Sequence, residues 1–292
     1  MVSGKGEKID VKNVVVNPEW LRGIIEDFLA SSENTLSNEL NETAWGRPLV
    51  GFAGGDDPVF GECKRHIGNF FWTPVEIFGM SFPAVKAEDL TVISWVLPQT
   101  EQAKRDNRKE KSIPSERWAR AAKFGEAVNV RLRQRVVGAL RAEGFDAIAP
   151  TLSPAFGIRR SEKYGYASNW SERHAAYASG LGTFGLCDGL ITPLGKAMRC
   201  GSVVARIPVP PTGRPYKSHT EYCLFLSQGT CRACITRCPA EAITEAGHDK
   251  EKCMAYLKVA CAHDRARYGW ESNSCGLCQT NVPCESGIPS RG

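Results

Sequence analysis

The sequence CRACITRCPAEAIT, residues 231 to 244, holds three cysteines within fourteen residues, and a proline follows the third. It lies in a wider concentration, because nine of the twelve cysteines of this 292-residue chain fall between Cys223 and Cys284. Thiols at such short spacings form disulfides in an oxidising compartment and bind metal in a reducing one. The rest of the sequence must therefore indicate the compartment.

The chain carries no sign of export or of a membrane. No run approaches the roughly 18 consecutive apolar residues that a membrane span requires. The N-terminal stretch MVSGKGEKIDVKNVVV has neither the apolar core of a secretory signal nor a twin-arginine signature. We therefore expect a cytoplasmic protein whose thiols stay reduced and bind metal. The net charge of +5 is spread along the chain and does not indicate a nucleic-acid partner.

The spacing Cys231-x2-Cys234-x3-Cys238-Pro239 resembles the end of a bacterial ferredoxin run, in which the cysteine before proline reaches across to a second cluster. Position 228, where that run would begin, is glutamine, and the nearest upstream cysteine is Cys223. We predict two 4Fe-4S clusters. The first is assigned to Cys223, Cys231, Cys234 and Cys284, and the second to Cys238, Cys253, Cys275 and Cys278.

Zinc is the alternative, because C-x2-C pairs also form tetrahedral zinc sites and two zinc ions would use eight thiolates. The cysteine–proline pair, and a helix expected over PAEAIT (239–244), favour iron–sulfur clusters. The four remaining cysteines are interpreted as buried packing residues: Cys63, Cys187, Cys200 and Cys261.

The cysteine density changes abruptly near the proline-interrupted residues 208–220, which predicts an N-terminal domain over 1–212 and a C-terminal module over 213–292. Apolar periodicity in the first domain predicts helices and strands that alternate, as in an α+β protein with layered α/β architecture. The helices are predicted over 18–30, 115–143 and 169–180, and the strands over 49–55, 90–98, 145–150, 186–193 and 200–209.

The most informative part of the first domain is WSERHAAYASGLGTFGLCDGLITPLGKAMRCGSVV (170–204). A predicted helix runs into Gly180-Leu181-Gly182 and then Gly185, before two strands. Glycines at this spacing permit either a ligand-free turn or a close approach of the backbone to a flat or charged ligand. The motif follows a helix, whereas the dinucleotide-binding fingerprint follows a strand, so a Rossmann nucleotide site is not indicated.

Together with the tandem cluster motifs, Glu172, Gly180, Gly182 and Gly185 resemble epoxyqueuosine reductase and the related reductive dehalogenases. The resemblance extends loosely over 85–285 and is sharp over 170–204 and 223–284. It implies a nitroreductase-like α/β domain that holds cobalamin beside a ferredoxin-like module with two 4Fe-4S clusters. The residues that it places at the cofactor are Glu172, Gly180, Leu181, Gly182 and Gly185.

The resemblance also implies a proton donor. Epoxyqueuosine reductase has an acidic residue about fourteen positions before the first glycine, where this chain has Tyr166, and the dehalogenases use a tyrosine. Tyr166 or its neighbour Tyr164 is therefore a candidate acid, since a phenol stays protonated at neutral pH. Amphipathic packing is the alternative for both. His174 is interpreted as a structural histidine, and Arg173, Lys196 and Arg199 as surface charges.

We expect a cobalamin-dependent reductase of a small organic molecule, with reduced ferredoxin or flavodoxin as electron donor. A flavin in place of cobalamin, a corrinoid-activating protein without an organic substrate, and an electron carrier with a docking domain are the alternatives. Epoxyqueuosine reductase continues into helical repeats that bind tRNA. This chain ends eight residues after Cys284, so tRNA is not an expected substrate.

Overall fold

The computed structural model describes residues 15–290. Its helices are α1 (Pro18–Ala30), α2 (Pro58–Ile67), α3 (Pro74–Gly79), α4 (Glu101–Lys109), α5 (Glu116–Arg120), α6 (Glu126–Ala142), α7 (Glu172–Ala178), α8 (Leu224–Gln228), α9 (Ala233–Thr236) and α10 (Lys250–Tyr268). Its strands are β1 (Leu49–Gly54), β2 (Thr91–Pro98), β3 (Ala147–Ile148), β4 (Ile158–Ser161), β5 (Gly165–Ser168), β6 (Thr183–Phe184), β7 (Leu190–Ile191), β8 (Met198–Ala205), β9 (Ile243–Thr244) and β10 (Gly247–His248).

An antiparallel sheet of four strands, in the order β1-β2-β8-β3, forms the centre of the N-terminal part. Strand β2 is buried along nearly its whole length, from Thr91 to Leu97. Its β-branched and aromatic residues suit a strand that is covered on both faces. The sheet therefore needs a helical layer on each side.

Alternate residues of the sheet pack against these two layers. Ile93 and Trp95 lie in a core with residues of α1 and α6, such as Ile25 and Leu132. Val92 lies on the other face, in a core to which α2, α3 and α7 contribute. The helices and the sheet form three layers, as expected for a mixed helix-and-sheet fold.

The predicted helix over 115–143 occurs as α5 and α6 with one π-helical turn, Ala121–Gly125, between them. The indole Nε1 of Trp45 donates a 2.9 Å hydrogen bond to the Gly125 carbonyl. A side chain that enters the hydrogen-bond ladder of a helix shifts the pairing locally. Sequence periodicity alone does not show this contact, because Trp45 lies eighty residues away.

The helix predicted over residues 239–244 is wrong. Helix α9 precedes Cys238, the residues that follow form a turn in which Glu241 has φ 48°, and the chain then enters β9. The Ala242 amide donates to the Cys238 sulfur at 3.4 Å. The backbone thus folds back on the thiol instead of continuing as a helix.

Arg237 joins the cysteine-rich segment to the end of α4. Its guanidinium donates to the carbonyl oxygens of Glu110 (2.7 Å), Asn107 (3.2 Å) and Thr280 (3.1 Å). The buried Asn107 amide also donates to the Thr280 hydroxyl at 3.0 Å. These contacts fix the last turn of the chain against α4. No helix within residues 15–290 is long and apolar enough to cross a membrane.

Candidate metal centre

The four cysteines assigned to the first cluster line one cavity. Its volume is about 20 Å³, and its walls include Cys223, Cys231, Cys234 and Cys284. Zinc would draw its thiolates to about 2.3 Å around a single point. A cubane of iron and sulfide also takes four thiolates, so the donor set lining this cavity is chemically suited to either group. Within residues 15–290 no three of these side chains are already drawn together as ligands of a single metal ion.

Local structure aims these four thiols at the cavity. Cys223 is the residue before α8, Cys231 follows that helix, and Cys234 lies in α9. Cys284 comes from the end of the chain and is fixed by its carbonyl, which accepts a 2.8 Å hydrogen bond from the Lys196 amide. Apolar residues complete the wall: Leu186, Ile191, Phe225 and Val282. A group bound here would be largely shielded from water.

The cysteines assigned to the second cluster also approach one another. Burial and the neighbouring Cys253 and Cys238 thiols raise the pKa of Cys275 to about 11. Cys275 in turn is one of the neighbours that raise the pKa of Cys278. The Cys238 and Cys253 thiols thus lie in the surroundings of Cys275, and Cys275 lies in those of Cys278.

His248 connects the second set with the glycine segment. Its Nδ1 lies 3.0 Å from an Asp188 carboxylate oxygen, and its ring also faces the Cys253 thiol. Although burial acts to lower it, hydrogen bonds to Asp188 and Cys253 raise the pKa of His248 to about 10. The sequence analysis did not identify His248 as a site residue. The only feature of the sequence that points to it is its position five residues before Cys253.

Cys187 was expected to be a packing residue, but it lies at the junction of the two sets. Its thiol is beside those of Cys234 and Cys278, which belong to different sets. The Lys196 ammonium donates to the Cys187 sulfur at 3.2 Å. Contacts with Cys234 and Cys278, together with the lysine charge, lower the pKa of Cys187 well below its usual range.

Lys196 was expected to be a surface charge, and this is wrong, since only 2% of the residue is exposed. Burial acts to lower the pKa of its ammonium, but the thiols around it outweigh burial and raise the pKa well above its usual value. These thiols are Cys187, Cys284, Cys278 and Cys234. A cation in this place complements the negative charge of thiolate sulfur.

Two other cysteines behave as packing residues. Cys200 is 5% exposed and lies in the core beneath β2 and β8. Cys63 packs against the core formed with α2 and α3. Burial raises the pKa of each thiol to about 12, so neither is a ready thiolate.

The glycines of the 170–204 segment face the protein's own chain. A Cβ on Gly180 would lie 2.7 Å from the Gly213 carbonyl oxygen, and one on Gly182 would collide with the carbonyl of Ile191. Gly185 lies against the Ile191 side chain. Because these glycines have no side chain, β6 and β7 can pack closely against each other, and the turn before β6 can pack against the segment after β8.

Glu172 and Leu181 are likewise engaged within the domain. Glu172 pairs with the Arg133 guanidinium at 3.1 Å and accepts hydrogen bonds from Ser202 and Thr151. Burial raises the pKa of its carboxyl group, against the opposing effect of Arg133. Leu181 is buried with Val96 in the core. These contacts hold Glu172, Leu181 and the glycines in place, and their role at a corrinoid stays a prediction.

Tyr164 and Tyr166 lie on the β4–β5 hairpin and are 40% and 36% exposed. The Arg160 guanidinium lies over the Tyr166 ring, and the Lys250 ammonium over the Tyr164 ring, each at 5.7 Å from the ring centre. Lys250 begins α10, three residues before Cys253. The hairpin thus places both phenols in solvent next to the helix that carries one cysteine of the second set.

His174 has the surroundings of a structural histidine. Its Nδ1 is 2.8 Å from the Ser171 hydroxyl, and its ring contacts those of Phe71 and Phe184. Burial, assisted by the Arg173 charge, lowers the pKa of the ring to about 4. The imidazole is therefore neutral at physiological pH.

No protein-family model and no curated protein matches the chain. Among solved structures, a reductive dehalogenase described as B12-dependent aligns with a TM-score of 0.51 and 14% identity, covering 82% of this chain and 30% of that one. A catabolic reductive dehalogenase aligns with a TM-score of 0.51 and 13% identity over 92% and 37%. An epoxyqueuosine reductase aligns with a TM-score of 0.46 and 17% identity over 83% and 63%.

The resemblance to the reductive dehalogenases expected from the sequence is thus confirmed as a likeness of fold, at low sequence identity. The chain spans less than two thirds of the length of each of these proteins. At such identities a likeness describes the fold and not the reaction. This chain has the fold shared by the reductive dehalogenases over most of its length.

Proposed function

We propose that the protein is an oxidoreductase that carries two 4Fe-4S clusters. The observation that supports this most directly is the cavity enclosed by Cys223, Cys231, Cys234 and Cys284. These cysteines come from separate parts of the sequence, and packing a ligand-free core would not require four thiols around one space. The position of Cys275 near Cys253 and Cys238, and of Cys278 near Cys275, supports the second cluster.

The clusters would supply single electrons at low potential. Potentials of such clusters depend on net charge, hydrogen bonds to sulfur and exposure to solvent. The contact of Cys187 with one cysteine of each set supports a short path between the clusters. In this proposal, reduced ferredoxin or flavodoxin loads the clusters, and the electrons reach a small-molecule substrate at the N-terminal domain.

Cobalamin is not part of this proposal. The B12 dependence stated for the dehalogenase belongs to that protein. In this chain the glycines and Glu172 contact neighbouring residues, and their role at a corrinoid stays a prediction. A tyrosine of the β4–β5 hairpin, Tyr164 or Tyr166, remains the proposed proton donor to the substrate, because both phenols are accessible beside the second set of cysteines.

Iron analysis of protein purified without oxygen tests the proposal. We expect about eight iron atoms per chain and the broad visible absorption of 4Fe-4S clusters. Cys284→Ser removes a ligand of the first set and Cys278→Ser one of the second, so each variant is expected to lose about half of the iron. Cys63→Ser is the matched control, because its thiol is distant from both sets, and it is expected to keep all of the iron.

Each other result has a definite meaning. Zinc in place of iron, in colourless protein, would show that the cysteines form structural zinc sites. Equal iron loss in the Cys63→Ser control would show that unfolding, and not ligand removal, releases the metal. Iron unchanged in both Cys284→Ser and Cys278→Ser would refute the assignment of these residues.

A further inference from the structure

The surroundings of Lys196 are unusual for a lysine. Its side chain enters the sulfur-lined region from the turn between β7 and β8 and forms part of the wall of the first cavity. The ammonium donates to the Cys187 sulfur at 3.2 Å and also lies against the Cys284 thiol. A cation that is 98% buried has a high free energy unless negative charge lies beside it.

The chain is shaped to hold this side chain in place. The Lys196 amide donates to the carbonyl of Cys284 at 2.8 Å and to that of Glu285 at 3.1 Å, which fixes its backbone. A Cβ on Gly189 would lie 2.8 Å from Cδ of Lys196 and 3.3 Å from the sulfur of Cys187. Only a residue without a side chain leaves room at position 189 for the lysine stem and the thiol together.

A cluster held by four thiolates is anionic, and reduction adds one further negative charge. A fixed positive charge beside it stabilises the reduced form more than the oxidised form, and so raises the reduction potential. The effect is large where water is excluded, because the effective dielectric constant is low. The apolar wall of the first cavity provides this condition.

We propose that Lys196 sets the reduction potential of the first cluster, its ammonium being held beside the ligand Cys284 by Cys187 and by the space at Gly189. This inference rests on the proposed function. It adds a role in setting the reduction potential for Lys196, with Gly189 leaving the space that its side chain needs. The second cluster is affected less, because it reaches the ammonium only through Cys278.

The test is a potentiometric titration of both clusters, followed by electron paramagnetic resonance in protein reduced without oxygen. At the midpoint potential of the wild-type first cluster, Lys196→Met is expected to lower the ratio of reduced to oxidised cluster about tenfold, a shift of about 59 mV for one electron. Lys196→Gln, which keeps a donor but no charge, is expected to shift it in the same direction. Lys64→Met is the matched control: it removes a half-buried lysine whose partners are Glu76 and the Phe71 carbonyl.

Gly189→Ala provides a second variant that keeps the charge. The added methyl group displaces the lysine stem, so the same ratio is expected to fall, by less than in Lys196→Met. If Lys196→Met does not fold, Gly189→Ala tests whether the position of the Lys196 ammonium sets the potential of the first cluster. An unchanged ratio in a variant that retains about eight iron atoms would overturn the role of Lys196. A wild-type protein without iron would instead overturn the proposed function, so the two failures are distinguishable.

Discussion

His174 is a titratable residue whose role is settled by its neighbours. It lies in the first turn of α7, its Nδ1 is hydrogen-bonded with the Ser171 hydroxyl, and its ring packs between aromatic rings. Imidazole in such a place is favoured in its neutral form, since charging it would bury a cation. The folded and unfolded states therefore differ in proton affinity.

This difference predicts a pH dependence of stability. The pKa of His174 is about 4 in the folded protein, against about 6.5 when unfolded, because burial and the charges of Arg173, Lys250 and His219 lower it more than Asp188 raises it. Its contribution is fully present above pH 6.5 and is lost as the pH falls towards 4, by about 1 to 3 kcal/mol. We expect His174→Phe to show a weaker loss of stability over this range in denaturant titrations at pH 7 and pH 5.

Wild-type protein titrated in parallel is the reference. The free energy of unfolding of both proteins falls with acid through other groups, so the measured quantity is the difference between them at each pH. If that difference stays constant from pH 7 to pH 5, His174 does not titrate as inferred. Phenylalanine is chosen because it retains the ring contacts with Phe71 and Phe184.

Sequence spacing predicted the sets of cysteines but not the residues that support them. Ligands of one cluster recur at short intervals because a tight loop must aim several sulfurs at one group, and this leaves a local pattern. Lys196, Cys187 and His248 meet those ligands only through folding. A lysine in a turn has no local feature that distinguishes a buried ammonium from a surface one, which is why Lys196 was misassigned.

Among the elements, α4 joins the two parts of the chain. Asn107 is fully buried on this helix and uses both ends of its side chain: Nδ2 donates to Thr280 and Oδ1 accepts from the Ser115 amide at 3.0 Å. Asn107→Ala removes the partner of the Ser115 amide in the interior and one of the two bonds that the Thr280 hydroxyl accepts. We expect a loss of about 1 to 3 kcal/mol in the free energy of unfolding, measured by denaturant titration.

Arg105→Ala on the same helix is the control. Arg105 is exposed and bonds only to Gln102 of its own helix, so its removal is expected to change the free energy of unfolding by about 0.5 kcal/mol or less. If the two variants lost equal stability, the effect would come from helix α4 itself. A larger loss in Asn107→Ala assigns the effect to the contact with the cysteine-rich segment.

Elements defined by local chemistry were predicted well. Helix α1 has the predicted bounds, because Asn17 caps it and a proline occupies its first turn. The helix expected over 239–244 failed because the thiol of Cys238 takes the Ala242 amide, a contact that propensity does not include. The strand predicted over 145–150 shortened to Ala147–Ile148, since only these residues meet β8.

At the scale of the molecule, the two parts of the chain are stabilised differently. The cores on both faces of the sheet are apolar and extensive, and they include large side chains such as Trp95, Phe52 and Phe78. In the core beside the candidate clusters, four of the eight fully buried residues are cysteines: Cys187, Cys223, Cys234 and Cys284. We expect a core of this composition to depend on a bound metal, because free thiols bury little apolar surface.

Removal of iron is therefore expected to unfold one part of the chain and spare the other. Iron is stripped with a chelator under reducing conditions, and amide exchange with deuterium is followed by mass spectrometry. Amides in residues 223–290 should then exchange rapidly, because thiolates that lose their iron repel one another. Amides of β2 and β8 should stay protected, since their hydrogen bonds lie between two apolar layers that contain no metal ligand. Untreated protein is the control, and it should be protected in both parts. Loss of protection in β2 and β8 as well would mean that the sheet and the cysteine-rich segment fold as one cooperative unit, which the contacts of Arg237 and Asn107 with both parts would then explain.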